Sequence, residues 1–138
     1  MQYDDNDLDS LCLVAWKEAR GDGQDAMRAV MHVIVNRVKA VGFPKNLHAV
    51  IYQKNAFSSM TVPSDREFHL QPAAGDEQYA YCKTVAPDVL DGLDYDLTCG
   101  AVYYSNEATE TSGWYKRVII DSGQHPVTAV IGKQTFRS

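Results

Sequence analysis

Two stretches of helical periodicity, separated by a glycine-rich break, constrain the fold of this chain more than any other feature. Apolar residues recur at helical spacing over residues 7–20 and again over residues 24–40. Gly21 and Gly23 lie between the two stretches, where glycine commonly ends a helix. Apolar side chains surround the second helix almost completely, which predicts that it is the central buried helix.

The rest of the chain predicts shorter helices and a small β element. Asp7 or Asn6 is placed to cap the first helix, Asn46 is placed to cap a short one, and residues 76–90 are helical again. Residues 56–72 lose their periodicity, which is typical of a long functional loop or an irregular hairpin. The segments with β character are GAVYYSN, RVIID and VTAVIG. We therefore expect a mainly α (α+β) protein.

Length and composition restrict the class of protein. The chain has 138 residues, 45% hydrophobic and 22% charged, and we expect one globular domain, residues 1–138, that is a monomer. A net charge of -5 gives no general attraction for nucleic acid or an anionic membrane. No apolar run approaches the ~20 residues of a membrane span, so we expect no membrane insertion. We expect no secretory signal in the acidic N-terminal segment, and three cysteines without a CxxC pair favour folding in a reducing cytoplasm.

No motif indicates a metal or cofactor site. The four histidines lack an HExxH motif or any close pair of ligands, and no P-loop, dinucleotide fingerprint or G-x-S-x-G segment is present. Cys12 lies on the apolar face of the first helix, which favours a buried structural thiol over a nucleophile. We therefore expect a function that needs neither metal nor cofactor.

Glu18 is the candidate catalytic residue that the helical pattern indicates. At about 100° per residue, Glu18 lies at the border of the apolar face, one turn from the helix end, while Lys17 points away from the core. Apolar surroundings favour the protonated form of a carboxyl group, as a general acid requires. The alternative is a boundary glutamate whose carboxyl group is hydrated or pairs with an arginine such as Arg20, Arg28 or Arg37.

An aromatic group near the C-terminal third has two interpretations. Tyr103, Tyr104, Trp114 and Tyr115 are numerous enough to form a wall on which sugar rings stack. The same side chains are equally typical of packing between strands. The sequence leaves both interpretations open.

An ordered series of segments resembles the SleB/CwlJ-type cell wall hydrolase family. From about Leu11 to Phe136, the segments are WKEARGDGQDAMRAVMHVIVNRVK, GFPKNLHAVIYQKNAFS, DVLDGLDYDLTCGAVYYSN and IGKQTF, with Trp114 before the last. The family hallmarks are E-A-R-G-E leading into G-Q, N-R-V, F-P, Q-F-S, G-A-x-Y-F-x-N and I-G-x-H-x-F. Each segment alone is weak, but the order of the series is specific.

The resemblance implies a lysozyme-like fold and cleavage of the glycan strands of peptidoglycan. It makes Glu18 the catalytic acid, and matching motif positions bring Gln24, Phe57, Ser58, Tyr104 and Asn106 near the cleft, with Trp114 as a further substrate-binding residue. The chain departs from the family pattern at Asp22, Ala56, Gln134 and Arg137. These departures concern contacts to the glycan, since the catalytic glutamate is retained.

The expected reaction is cleavage of the MurNAc–GlcNAc β-1,4 bond by a lytic transglycosylase, which needs one acid and leaves a 1,6-anhydro-MurNAc end. One alternative is a hydrolytic muramidase that uses Asp22, Glu107 or Glu110 as a second carboxylate. Another is a non-catalytic wall-binding or virion structural protein. A short chain without a signal resembles a phage endolysin, made in the host cytoplasm and reaching the wall through a holin pore or in the virion.

Overall fold

The computed structural model describes residues 1–138 and contains five α-helices and a three-stranded sheet. The helices are α1 (Asp5–Ala19), α2 (Gln24–Lys39), α3 (Leu47–Ile51), α4 (Ser58–Thr61) and α5 (Glu77–Leu90). The strands are β1 (Tyr103–Ser105), β2 (Val127–Ile131) and β3 (Gln134–Arg137). A 3-10 turn (Arg20–Asp22) links α1 to α2, and a π-helical segment (Tyr115–Ile120) precedes β2. None of the helices has the length and apolar character needed to cross a membrane.

Local capping decides where the first helices begin and end. Asp4 caps α1, rather than Asp7 or Asn6, because Asp4 and Asp7 each accept a hydrogen bond from the other's backbone N–H. The predicted cap of α3 at Asn46 is confirmed. Gly23 has a φ of 98°, a conformation that favours glycine, so the break between α1 and α2 has a steric cause.

Helix α2 is the central buried helix, as predicted. One of its faces packs with α1, α3 and α5 in a cluster of 21 buried residues. Another face places Ala29 and Val33 against Ala101 and Phe136 on the side of the sheet. Because both faces are covered, apolar side chains are needed almost all round the helix. Cys12 is fully buried in the larger cluster, which confirms its interpretation as a structural thiol.

In the sheet, β3 lies between β1 and β2 and is antiparallel to both. Strands β1 and β2 confirm the predictions for GAVYYSN and VTAVIG. The β prediction for RVIID was wrong, because these residues have no partner strand and continue the π-helical segment, where the Asp121 N–H donates to the Lys116 carbonyl. The segment buries Ile119.

The segment that follows α4 is irregular but is attached to α1 by side chains. Lys17 Nζ donates to the carbonyl oxygens of Ser59 and Phe68, at 3.2 and 2.8 Å. Arg20 forms an ion pair with Glu67. The prediction that Lys17 points away from the core was wrong: the side chain is buried, because this segment covers its face of α1.

A second polar group attaches α2 to the loop before β1. His32 Nε2 lies 2.7 Å from Asp94 Oδ2, and Arg28 Nη1 donates to the same carboxylate at 3.2 Å. Asn36 Nδ2 donates to Asp96 at 2.9 Å. We call these five residues the Asp94 cluster. The cluster holds the loop that leads into β1 against the central helix.

Candidate active site

A cavity of about 910 Å³ lies between the helices and β1, and Glu18 is part of its wall. Helices α1 and α2, the segment before α4, strand β1 and residues 110–115 all contribute to it. The lining residues with polar or aromatic side chains are Glu18, Arg37, Phe43, Gln53, Lys54, Asn55, Phe57, Tyr103, Tyr104, Glu110, Ser112, Trp114 and Tyr115. A carboxyl group therefore meets an aromatic surface in one concave site.

Two hydroxyl groups hold the carboxyl group of Glu18. Ser59 Oγ donates to Oε2 at 2.8 Å, and the Tyr104 hydroxyl donates to Oε1 at 2.9 Å. A carboxylate has about four lone-pair sites, so these two contacts leave sites on both oxygens for a proton or a substrate. Glu18 itself lies in the last turn of α1, where the helix ends and the cavity begins.

Tyr104 remains a hydrogen-bond donor to Glu18 over the whole physiological pH range. Burial raises the pKa of the Tyr104 phenol well above its usual value, and the charge and hydrogen bond of Glu18 raise it further. Its ring stacks on Phe136 with the centroids 5.6 Å apart, which fixes the hydroxyl in place. The sheet thereby positions one of the two groups that orient Glu18.

Ser59, the second donor to Glu18, is also held in place by its surroundings. It lies in α4, is 1% exposed, and its carbonyl oxygen accepts the hydrogen bond from Lys17. Lys17 precedes Glu18 in α1, so one helix both carries the carboxyl group and fixes the residue that donates to it. Burial lowers the pKa of Lys17, while Glu67 and Asp65 raise it.

No cation pairs with Glu18. Of the arginines proposed as partners, Arg20 pairs with Glu67, Arg28 pairs with Asp94, and the Arg37 Nε donates to the Val102 carbonyl. The alternative that Glu18 pairs with one of these arginines was therefore wrong. Each of these arginines contacts another acceptor, and the carboxyl group of Glu18 accepts hydrogen bonds from neutral hydroxyl groups only.

The structure brings some of the predicted site residues together and leaves others apart. Phe57, Tyr104 and Trp114 line the cavity with Glu18. Gln24, Ser58 and Asn106 are not among the lining residues. Gln24 is exposed at the start of α2, the Ser58 hydroxyl donates to Asp65, and Asn106 follows the end of β1. Their roles in substrate binding stay predictions from motif position.

The aromatic group lies at the cavity, and one of its members also packs on the sheet, while the stacking of sugar rings on it stays a prediction. All four side chains line the cavity, but Tyr104 also packs on Phe136 of the sheet. Trp114 is 54% exposed, so its indole is available to a ligand. Phe43, which the sequence interpretation did not include, lies 5.9 Å from Tyr103 between ring centroids and extends the same surface.

Of the three candidates for a second carboxylate, one reaches the cavity. Glu110 lines it and accepts hydrogen bonds from the Ser105 hydroxyl and the Ser112 backbone N–H. Asp22 is exposed in the 3-10 turn, and Glu107 forms an ion pair with Arg137 at 2.7 Å. No group of three or more His, Cys, Asp or Glu side chains is arranged to hold a metal ion.

Sequence reasoning did not find Ser59 or a site role for Arg37. Ser59 is adjacent to Ser58, the residue that motif position selected, and the orientation of α4 decides which of the two serines contacts Glu18. Arg37 is the arginine of the N-R-V segment, embedded among the apolar residues of α2. A basic residue on a face that is otherwise buried was the available signal.

Comparison with known proteins gives relatives of one kind. The sequence matches the Cell Wall Hydrolase family over residues 21–136, a match that begins after Glu18. A spore cortex-lytic enzyme of Halalkalibacterium halodurans is 36% identical over 113 residues, 81% of this chain and 31% of that protein. The spore cortex-lytic enzyme of Bacillus subtilis is 30% identical over 113 residues, with 81% and 33% covered. The chain thus spans about a third of the length of these relatives.

Two solved structures have the same fold over almost the entire chain. The catalytic domain of the germination-specific lytic transglycosylase SleB from Bacillus anthracis has a TM-score of 0.75 and 29% identity, with 99% of this chain and 97% of that chain covered. The catalytic domain of the Bacillus cereus SleB protein has the same TM-score and identity, with 93% of its chain covered. The likeness confirms the predicted fold class, mainly α and lysozyme-like.

Proposed function

This chain belongs to the cell wall hydrolase family, and from that premise we propose that it cleaves the glycan strands of peptidoglycan with Glu18 as its catalytic acid. The similarity to a lytic transglycosylase domain over 99% of the chain supports this proposal. The observation that carries it is the environment of Glu18: a carboxyl group in a large cavity, held by two hydroxyl groups and paired with no cation.

The first step is proton transfer to the bond that breaks. Protonated Glu18 donates to the glycosidic oxygen between MurNAc and GlcNAc while the bond from C1 to that oxygen breaks and oxocarbenium character develops at C1. The proton leaves with the GlcNAc hydroxyl, and Glu18 becomes a carboxylate. Ser59 and Tyr104 donate to that carboxylate, so its charge forms where two hydrogen-bond donors already point.

The second step returns the proton without a second carboxyl group. The Glu18 carboxylate accepts the proton of the C6 hydroxyl of the same MurNAc residue, and O6 forms a bond to C1. The product is a 1,6-anhydro-MurNAc end, and Glu18 is again protonated. Because the hydroxyl belongs to the reacting ring, its effective concentration exceeds that of a free nucleophile. We therefore propose a lytic transglycosylase rather than a hydrolase.

One observation favours a hydrolytic muramidase as the second candidate. Glu110 lines the same cavity as Glu18, and a second carboxylate is what a hydrolase uses to activate water or to form a glycosyl intermediate. Hydrogen bonds from Ser105 and Ser112 hold Glu110 in its own loop. In the transglycosylase, Glu110 has no part in proton transfer.

Mass spectrometry of the products separates the two reactions. Purified murein is digested with the wild-type protein and with the Glu110→Gln variant, and the released muropeptides are measured. The transglycosylase gives 1,6-anhydro ends, about 18 Da lighter than hydrolysed ends because one water is not added, and the variant retains the same product. Reducing MurNAc ends as the main product, lost in Glu110→Gln, would overturn the transglycosylase in favour of the muramidase.

A protein that only binds the wall is the remaining alternative. Such a protein has no need for a carboxyl group oriented by two hydroxyl donors inside a cavity, and it releases no muropeptides in the same digestion. The role of a phage endolysin stays a prediction from the sequence, since the named relatives are spore cortex-lytic enzymes.

A further inference from the structure

Arg37 brings a buried positive charge to the wall of the cavity without an anionic partner. The residue lies in the last turn of α2 and is 8% exposed. Its Nε donates to the Val102 carbonyl at 2.7 Å, and this is the one hydrogen bond that the side chain forms within the protein, so neither terminal nitrogen has a protein acceptor. Since Arg37 lines the cavity, these two nitrogens are the part of the side chain that a ligand meets.

Aromatic rings surround the guanidinium but cannot replace an acceptor. Its Cζ lies 5.2 Å from the Phe43 ring, 5.4 Å from Phe57 and 5.9 Å from Tyr103, measured to the centroids. Cation–π contacts of this kind stabilise the charge from the ring faces. They leave the in-plane N–H groups without acceptors, because an aromatic ring offers no lone pair to these groups.

The other cations of the chain show how unusual this arrangement is. Arg20 and Arg28 pair with carboxylates, and the buried Lys17 donates to two carbonyl oxygens. A buried charge without a partner of opposite charge destabilises a protein. Burial lowers the pKa of Arg37, and the nearby tyrosines and Glu18 raise it, but a guanidinium stays protonated at neutral pH.

Tyr115 presents a second unsatisfied donor to the same cavity. Its hydroxyl is buried and has no hydrogen-bond partner, although the residue is part of the cavity wall. The pKa of Tyr115 is raised to about 12, chiefly by burial and also by Glu107 and Glu110, while Arg137 and Arg37 oppose the increase. The phenol therefore keeps its proton and is able to donate it in a hydrogen bond.

The carboxyl groups of the cavity do not satisfy these donors. Glu18 accepts from Ser59 and Tyr104, and neither Glu18 nor Glu110 forms an ion pair with Arg37. Two parallel N–H groups of a guanidinium match the two oxygens of a carboxylate better than any single acceptor. An anion with two acceptor atoms is therefore the ligand group that best matches these free donors.

We propose that Arg37 and Tyr115 form a subsite that binds a carboxylate of the glycan strand while Glu18 acts on the adjacent bond. The proposal rests on the proposed function, because that function identifies the ligand as peptidoglycan. Two carboxylates of this polymer have the required chemistry. One is the 3-O-lactyl carboxylate of a MurNAc residue without a stem peptide, and the other is a carboxylate of the stem peptide itself.

The test compares ligands that differ only in the carboxylate. Dissociation constants are measured by calorimetry in the Glu18→Gln background, which prevents turnover. One pair of ligands is the peptide-free GlcNAc–MurNAc tetrasaccharide and its lactyl methylamide. The other pair is the peptide-bearing tetrasaccharide and the same compound with its peptide carboxylates converted to methylamides. The measured quantity is the preference for carboxylate over amide within each pair.

We expect a preference of about tenfold or more in one of the pairs, as for hydrogen bonds to a charged group. Arg37→Gln should abolish the preference, and Arg37→Lys should restore part of it because it keeps the charge but not the paired donors. Arg117→Gln is the matched control, since it removes an exposed arginine that does not line the cavity. The pair that shows the preference identifies the source of the carboxylate.

Tyr115→Phe keeps the test valid if the Arg37 variants do not fold. The substitution removes a hydroxyl that forms no hydrogen bond within the protein, so we expect folding to be retained. We expect the preference to fall about fivefold, as for one neutral donor. A preference near one for both pairs in the Glu18→Gln protein overturns the subsite, as does equal weakening of carboxylate and amide ligands in the variants. Failure of the wild-type protein to cleave murein overturns the proposed function instead.

Discussion

Glu18 and Asp94 are both half-buried carboxyl groups beside the helical core, but their partners differ in charge. Asp94 is held by Arg28 and His32, while Glu18 is held by the hydroxyls of Ser59 and Tyr104. A cation beside a carboxylate favours the ionised form and opposes protonation. Hydroxyl groups rotate to donate or accept, so they suit both protonation states. The partners of Asp94 therefore suit a stabilising role, and those of Glu18 suit the proton transfer that we propose for it.

Replacing Glu18 should have the largest effect, and on activity alone. Glu18→Gln keeps the shape of the side chain but removes the transferable proton, so turnover of murein should fall by ~10²–10⁴-fold. The free energy of unfolding should not decrease, because no ion pair is lost. Turbidity of a murein suspension and urea unfolding measure the two quantities. Asp22→Asn, four residues away and exposed, is the control; near-normal lysis by Glu18→Gln would contradict the assignment.

The corresponding change at Asp94 should reverse the pattern. Asp94→Asn leaves Arg28 and His32 without their carboxylate, so the free energy of unfolding should fall by ~2–3 kcal/mol. Turnover per folded molecule should stay near the wild-type value, since Asp94 is not part of the cavity wall. Urea unfolding and an activity assay on the folded fraction check this. Equal losses of stability in Glu18→Gln and Asp94→Asn would remove the distinction between the two regions.

Two adjacent serines allow a finer test of the Glu18 site. Ser59→Ala removes a donor that becomes more important as Glu18 ionises, so turnover should fall about tenfold. Ser58→Ala removes only a solvent-exposed hydrogen bond to Asp65 and should leave turnover within about twofold of wild type. Initial rates on the same murein compare the two variants. A larger loss of turnover in Ser58→Ala than in Ser59→Ala would instead support Ser58, the residue that motif position selected, as part of the site.

The smallest effect concerns the acid sensitivity of the Asp94 cluster. Burial by itself raises the pKa of Asp96, but hydrogen bonds from Thr98, Asn36 and Gly100 outweigh it and hold the pKa below its usual value of 3.8. Its stabilisation is therefore present above that value and is lost as the pH falls through the lowered pKa of the folded state. Urea unfolding from pH 6 to pH 3 should show wild type and Asp96→Asn converging at the acid end; a constant difference would exclude this cause.

Local sequence patterns were sufficient for the helical part of the fold and for the main residue of the site. Helices α1 and α2 lie within two residues of their predicted ends, because apolar periodicity and the glycine break act over one or two turns. The same periodicity places Glu18 at the edge of a buried face, one turn before the chain leaves the helix. Strand β3 and the π-helical segment were not predicted, since short apolar runs acquire their conformation from their partners.

Only the tertiary structure decided what surrounds Glu18. Tyr104 is 86 residues away in the sequence and Ser59 is 41 residues away, so no local pattern relates either hydroxyl to the carboxyl group. Motif position selected Ser58, but the attachment of the neighbouring segment to Lys17 turns Ser59 inward instead. The tertiary structure likewise decides that Arg37 keeps free donors, because the carboxylates near the other arginines pair with Arg20 and Arg28. Helix periodicity depends on near neighbours, whereas the charge balance of a cavity depends on every segment that lines it.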